Sequence, residues 1–348
     1  MVMKTIDLHD AVWQQLMARR TRLPHALLLC GQQGIGKFDL AVAFAASLLC
    51  EKPRDAGEAC GQCLACGWLR QGNHPDLRLL QPQSLATMAG DAGEGDDAAG
   101  TKKPSQQITI DQVRALDDFL HVGTHRHGAR VVLLNPAEAM NRATANALLK
   151  SLEEPITDTL FLLVSSDPYR LLPTIRSRCQ TVSVPLPPRA IAAKWLHDAG
   201  VAEADDWLAL AAGAPLLALA LSGSGERTLL EALLAEVSGG GDVDPLASAA
   251  TLERVVKAEK RPAPLKRLLE WAQKWLFDLH LAAEDLPPRY FLRQAVLLQE
   301  LARGTDSRRI LAFSRMALQY KAQCEQPLNS RLFLEDFFLG YARVFRST

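Results

Sequence analysis

What the sequence lacks narrows it before any motif is read. No apolar run reaches the roughly 18–20 residues that a membrane-spanning helix requires. The opening residues, MVMKTIDLHDAVWQQL, have neither the basic stretch nor the apolar core of a secretory signal. Excess charge is missing as well. Lys and Arg number 39, Asp and Glu number 39, and the net charge is zero. That argues against a protein that coats DNA through bulk basicity, while leaving room for a local basic patch or a DNA role through partners. No internal repeat is visible. The expected location is the cytoplasm, where thiols stay reduced, so the seven cysteines read as metal ligands or buried thiols rather than disulfides.

What is present is a soluble composition, 48% hydrophobic and 22% charged, spread over 348 residues. That length suits two or three domains. Helices are expected at Asp10–Arg20, Asp39–Leu49 and Thr144–Glu153, the last stopped near Pro155. Short apolar runs predict buried strands at Leu27–Cys30, Val131–Leu134 and Leu160–Val164, and a fourth strand is expected at Gln180–Val184. Strands alternating with helices predict a parallel α/β sheet, whose site lies at the carboxyl ends of the strands. Residues Ala86–Gln106 are rich in Gly, Ala and Asp and read as a flexible surface insertion. After Val184–Pro188 (VPLPP) the strand signals stop. Ala190–Ser222 reads as a small helical unit and Ser222–Gly225 (SGSG) as a linker. From Glu226 onward the pattern is helical, broken at Ser238–Asp242 and at Pro287 and Pro288. Trp271, Trp275, Leu276 and Leu279 fall at helical spacing and are expected in a core. The apolar LFLEDFFLGYARVF near the end is expected to be a packing or subunit-contact helix.

The first chemical motif is GQQGIGK, Gly31 to Lys37, placed between a strand and a helix. Glycines at 31, 34 and 36 let backbone N–H groups turn toward phosphate, and the helix N-terminus adds positive potential. Lys37 is placed to reach the terminal phosphates. The hydroxyl residue that would hold Mg²⁺ is missing, since position 38 is Phe38. A nucleotide hydrolase also needs acids just after a neighbouring strand. Here VVLL runs into Asn135, Pro136 and Ala137. Glu138 arrives three residues late, either as a metal ligand in an unusual place or as a solvated residue. Two catalytic parts are therefore gone at independent places, which points to a phosphate loop that has lost hydrolysis.

The second motif is Cys50-x9-Cys60-x2-Cys63-x2-Cys66. Four thiolates in a turn-rich stretch suit one tetrahedral Zn²⁺ in a closed, structural site, with iron–sulfur as the minor alternative. Cys30, Cys179 and Cys324 stand alone and read as buried thiols. The third is TIRSRCQ, Thr174 to Gln180, a short helix leading into a strand. Arg178 there is either a surface salt-bridge partner or a residue that reaches a neighbour's γ-phosphate. A basic stretch, Lys257–Arg267, offers a DNA contact or, more plainly, a solvated helix face and turn.

Together PHALLLCGQQGIGK, the cysteine knuckle, GNHPDLRLL, ITIDQVRAL, ATANALLKSLEEP and LLPTIRSRCQ resemble, in order, the AAA+ subunits of the bacterial DNA polymerase III clamp loader. The likeness covers roughly Leu23 to Gln180, and the helical remainder agrees in outline only. The family's gamma and tau ATPases keep Lys-Thr/Ser in the loop and Asp-Glu after the second strand. This chain departs at both, and Leu216 stands where the family's sensor arginine falls. The resemblance implies an AAA+ core over 1–186 with a zinc module (50–66) and an insertion (86–106). It further implies an all-α lid over 187–224 and an all-α collar domain over 225–348. It implies a fixed, non-hydrolysing stator that helps load the sliding clamp onto primed DNA, with Arg178 acting in trans at a neighbour's ATP. Implied partners are gamma/tau, delta, the sliding clamp and, through the complex, primer–template DNA, as part of a DNA-directed DNA polymerase, a nucleotidyltransferase. An active ATPase of the gamma/tau type is the alternative.

Overall fold

The computed structural model describes residues 5–20, 22–88, 105–121, 128–259, 264–323 and 329–345. Two compact units divide it, Met1–Pro187 and Pro188–Thr348.

The first unit is built on five parallel strands, β1 (Ala26–Cys30), β2 (Leu77–Leu80), β3 (Arg130–Leu134), β4 (Thr159–Ser165) and β5 (Gln180–Ser183). Their order across the sheet is β2-β3-β4-β1-β5. β1 pairs with β4 from Ala26↔Phe161 to Cys30↔Ser165 and with β5 from Leu27↔Gln180 to Cys30↔Ser183. β3 and β4 are buried along their whole length. That is the reason their central residues, Val131–Leu134 and Leu160–Val164, form unbroken apolar runs rather than alternating ones. Helices α1 (Asp10–Ala18), α2 (Lys37–Leu49), α3 (Leu64–Arg70), α4 (Gln83–Met88), α5 (Ile110–His121), α6 (Arg142–Glu153) and the short α7 (Pro173–Arg176) complete the unit. On one face of the sheet, Leu28, Val132, Phe161 and Leu163 pack with Val113 and Leu116 of α5 and Leu148 and Leu152 of α6. α2 packs on β1, β3 and β4. Strand order reverses around β1, so the loop after Cys30 opens at the point where such sheets place ligands.

The expected strands and helices are present, with boundaries shifted by a residue or two. α2 begins at Lys37 itself, and α1 ends at Ala18. β2 and the helices α3 and α5 went unassigned in the sequence. β2 is a four-residue edge strand of which only Leu80 is buried, so it lacks the apolar run that marks β1, β3 and β4. The expected insertion at Ala86–Gln106 needs correction at its start. Residues 86–88 close α4, and Ser105 Oγ donates to Gln107 O at 2.9 Å. Residues 89–104 lie outside the described residues.

The second unit consists, among the described residues, of α8 (Arg189–Asp198), α9 (Ala204–Leu210), α10 (Pro215–Leu221), α11 (Ser224–Val237), α12 (Pro245–Ala258), α13 (Pro264–Ala283), α14 (Ala295–Ala302), α15 (Ser307–Gln323) and α16 (Ser330–Phe345). One apolar cluster runs through it from Ala192 to Val344. Trp271, Trp275, Leu276 and Leu279 are fully buried, as expected. Trp275 Nε1 donates to Tyr341 Oη at 3.0 Å, and Tyr341 Oη donates to Val237 O at 2.6 Å. The C-terminal helix buries Phe333, Phe337, Phe338 and Tyr341. Asp278, fully buried, accepts the N–H groups of Arg289, Tyr290 and Phe291 at 2.7–2.9 Å. It thereby satisfies the backbone that Pro287 and Pro288 interrupt. The SGSG linker is corrected: Ser224 and Gly225 are already the first turn of α11, because Gly223 is extended and the helix starts behind it. Among the described residues no single helix is long and apolar enough to cross a membrane.

Candidate functional site

The phosphate loop is set by close packing at the end of β1. Gly31 N donates to Ser165 O at 3.3 Å and Val184 N donates to Cys30 O at 2.7 Å. The chain is so tight there that a Cβ on Gly31 would lie 2.3 Å from Val184 O and 2.9 Å from Ile35 Cδ1. Gly34 and Gly36 have φ of 78° and 94°, the left-handed region that a side chain penalises. Ile35 between them is fully buried, and its carbonyl is held by buried His9 Nε2 at 2.6 Å. Burial lowers the His9 pKa, against the hydrogen bond to Ile35, which raises it. Gly36 caps α2 without a side chain, so the first-turn amides face the loop.

Lys37 is 5% exposed. Its ammonium donates to Gly31 O at 2.8 Å, Gln32 O at 2.7 Å and Ser166 Oγ at 3.0 Å. An ammonium has three N–H bonds, and all three have acceptors from the chain itself. Burial pulls its pKa down from 10.5 to about 8, against the nearby Glu138 charge, which raises it. Phe38 follows, half-buried, with no hydroxyl to offer a metal. Past β3, the Asn135–Pro136 peptide is cis, and Glu138 sits in the 3₁₀ turn Ala137–Ala139. It is not a solvated bystander. Its Oε1 accepts the Ser166 N–H at 2.9 Å, and its Oε2 is buried without a partner. Ser166 thus joins Lys37 to Glu138. The sequence reading missed it, although a Ser-Ser-Asp turn directly after a buried strand, at the sheet's carboxyl end, was available as a signal.

Arg178 lies between α7 and β5. Its Nη1 donates to Thr174 O at 2.9 Å and its Nη2 pairs with Glu153 Oε1 at 2.6 Å. Glu153 also went unremarked in the sequence, because it is 25 positions away and only α6 brings it close. Cys179 beside it is buried, and that burial pushes its thiol up to about 12. Cys30 is half-buried and Cys324 lies outside the described residues.

The cysteine knuckle starts where α2 ends. Cys50 is the residue after that helix, and Cys63 caps α3, accepting the Cys66 N–H. The Sγ atoms of Cys50, Cys60, Cys63 and Cys66 all lie within 4.8 Å of one another. Three of the pairs are Cys50–Cys63 at 3.9 Å, Cys60–Cys66 at 3.9 Å and Cys50–Cys66 at 3.6 Å. A tetrahedral zinc with Zn–S bonds near 2.3 Å separates its sulfurs by about 3.8 Å, so the donor set fits a closed four-sulfur metal site. Backbone N–H groups of Gln62 and Cys63 hold the Cys60 thiol down at about 6. Trp13 Nε1 donates to Ala56 O at 3.1 Å, which ties the knuckle loop back to α1.

The basic stretch Lys257–Arg267 gives no patch among its described residues. Lys257 pairs with Glu253 at 2.8 Å, and Arg267 with Glu270 at 3.3 Å and Glu226 at 3.7 Å. Residues 260–263 of it lie outside the described residues. Leu216 stands at the start of α10, half-buried.

Residues 9–187 match the protein family described as "DNA polymerase III, delta subunit". The DNA polymerase III subunit delta' of Pseudomonas aeruginosa is 37% identical over 343 residues, covering 96% of each chain. That of Escherichia coli is 34% identical over 328 residues, covering 90% of this chain and 88% of the relative. Among solved structures, a DNA polymerase III gamma subunit-related protein from Thermotoga maritima aligns with 96% of this chain and 99% of its own, at 17% identity and a TM-score of 0.45.

Proposed function

The chain belongs to the DNA polymerase III delta' family, and from that premise we propose that it is a non-hydrolysing stator subunit of the clamp loader, helping to place the sliding clamp on primed DNA. Its partners on this reading are gamma/tau and delta, with the clamp and primer–template DNA reached through the assembly. Lid (187–224) and collar (225–348) functions divide the helical unit. The observation that carries the proposal is the closed hydrogen-bond set of Lys37. A phosphate that approached Nζ would have to displace Gly31 O, Gln32 O or Ser166 Oγ, and Phe38 supplies no metal ligand beside it. The loop's packing survives because Gly31, Ile35 and His9 hold it as structure. Its hydrolytic chemistry does not.

What the chain contributes to ATP turnover is then Arg178. A guanidinium aimed at a neighbour's γ-phosphate stabilises the charge of the transferring phosphoryl group, an effect worth about 10³–10⁵ in rate. Cys50, Cys60, Cys63 and Cys66 would hold one structural Zn²⁺. That metal would supply cross-linking of the knuckle rather than chemistry, since four sulfurs leave no open position.

A second reading, an active ATPase of the gamma/tau type, is favoured by one observation. Glu138 Oε2 is buried without a partner beside the loop, where a magnesium ion or its water would satisfy it. The deciding experiment is ATP turnover by the isolated chain. The stator reading expects no magnesium-dependent hydrolysis above background. Turnover that Lys37→Ala abolishes would replace it with the second reading.

A further inference from the structure

One charged residue away from the phosphate loop sits against a local rule. Glu153 is the last residue of α6, where the helix carbonyls concentrate negative potential and a carboxylate is disfavoured. Glu154 follows it, and Lys150 is the only basic residue of that last turn. The compensation comes from another element. Arg178, which follows the four-residue helix α7, places Nη2 2.6 Å from Glu153 Oε1 while Nη1 donates to Thr174 O at 2.9 Å.

This pair adds little to stability. The two side chains are 34% and 48% exposed, and half-exposed ion pairs contribute little against solvent screening and side-chain entropy. What two contacts on two different nitrogens do is fix the plane of the guanidinium. Arginine carries five N–H donors in a rigid fork. One on each Nη is used here, which leaves Nε–H and one N–H on each Nη for an incoming anion. A long side chain held in one rotamer before use loses no further freedom when it meets its ligand.

We propose that Glu153 is the positioning residue for Arg178, presetting the guanidinium to receive the γ-phosphate of a nucleotide held by a neighbouring subunit. The inference rests on the reading of Arg178 as a finger acting in trans. Glu153 itself touches no nucleotide and acts only through the arginine.

The test is a double-mutant cycle in the reconstituted clamp loader, arranged so that the ATPase subunit bordering Arg178 is the only one able to hydrolyse. Arg178→Ala is expected to lower kcat about 10³-fold. Glu153→Gln, which keeps the shape and removes the charge, is expected to lower kcat about tenfold with KM for ATP nearly unchanged. In the Arg178→Ala background, Glu153→Gln is expected to cost nothing more, whereas a merely structural glutamate would cost the same in both backgrounds. Thermal unfolding of the Glu153→Gln chain and its incorporation into the assembly should match the wild type. If Arg178→Ala is silent, the finger reading itself falls. If Arg178→Ala is severe but Glu153→Gln is silent, raises turnover, or adds its full loss to the double variant, the positioning role alone is overturned.

Discussion

The phosphate loop and the cysteine knuckle stand at opposite ends of one helix. Lys37 opens α2 and Cys50 follows its last residue. Both are glycine-bearing turns with the residues of a ligand site, yet their polar atoms are settled in opposite ways. At the N-terminal end the chain answers itself, with three acceptors for the three donors of Lys37. At the C-terminal end four sulfurs converge within 4.8 Å of one another, a donor set that suits a tetrahedral metal ion. Four sulfurs crowded together suit a cation, whereas the three N–H groups of Lys37 already meet two carbonyls and a hydroxyl. A motif is therefore better judged by whether its donors and acceptors are met within the chain than by its letters.

The contrast is open to attack at either end of α2. The largest effect is expected at the knuckle. Structural zinc in small modules contributes apparent binding free energies of about 10–16 kcal/mol, so Cys63→Ser or prolonged chelation should melt the knuckle and depress the unfolding temperature sharply. Elemental analysis should find about one zinc per chain. A metal-free chain of unchanged stability would remove the distinction between the two sites. Next comes the loop's role as structure. Gly31→Ala forces a methyl group against Val184 O and Ile35, an overpacking expected to cost about 1–3 kcal/mol in urea unfolding without any nucleotide present. An unaffected midpoint would mean that the loop is not the packed element described here.

The smallest effect concerns the ionisation of Lys37. Its pKa falls from 10.5 to about 8 on folding, so between those pH values the unfolded chain binds more protons than the folded one. Stability from this group therefore rises as pH climbs from about 8 toward 10.5, and is lost as pH falls back through 8. Lys37→Met should flatten that rise relative to wild type when unfolding is followed at pH 7, 9 and 10. Parallel curves for the two proteins would show that Lys37 is not buried as found.

Much of this was legible in the sequence. Strands β1, β3 and β4 announced themselves because a parallel sheet covered on both faces demands continuous apolar runs, and the cysteine spacing carried its own geometry. Phe38 and Asn135 carry the proposal of lost hydrolysis, because metal ligation leaves little choice of side chain. What stayed hidden depended on the third dimension. β2 is an edge strand with one buried residue, its apolar stretch interrupted by Arg78. Ser166 and Glu153 matter only through partners more than 20 residues away. The supposed linker at Ser222–Gly225 was misread because glycine and serine also start helices, as they do at α11.

The proposed transfer of function from Lys37 to Arg178 is tested most directly by one comparison in the reconstituted clamp loader. Clamp- and DNA-stimulated ATP turnover should be indistinguishable from wild type with Lys37→Ala in this chain, and should fall about 10³-fold at the adjoining site with Arg178→Ala. Severe loss from Lys37→Ala with full activity in Arg178→Ala would contradict it.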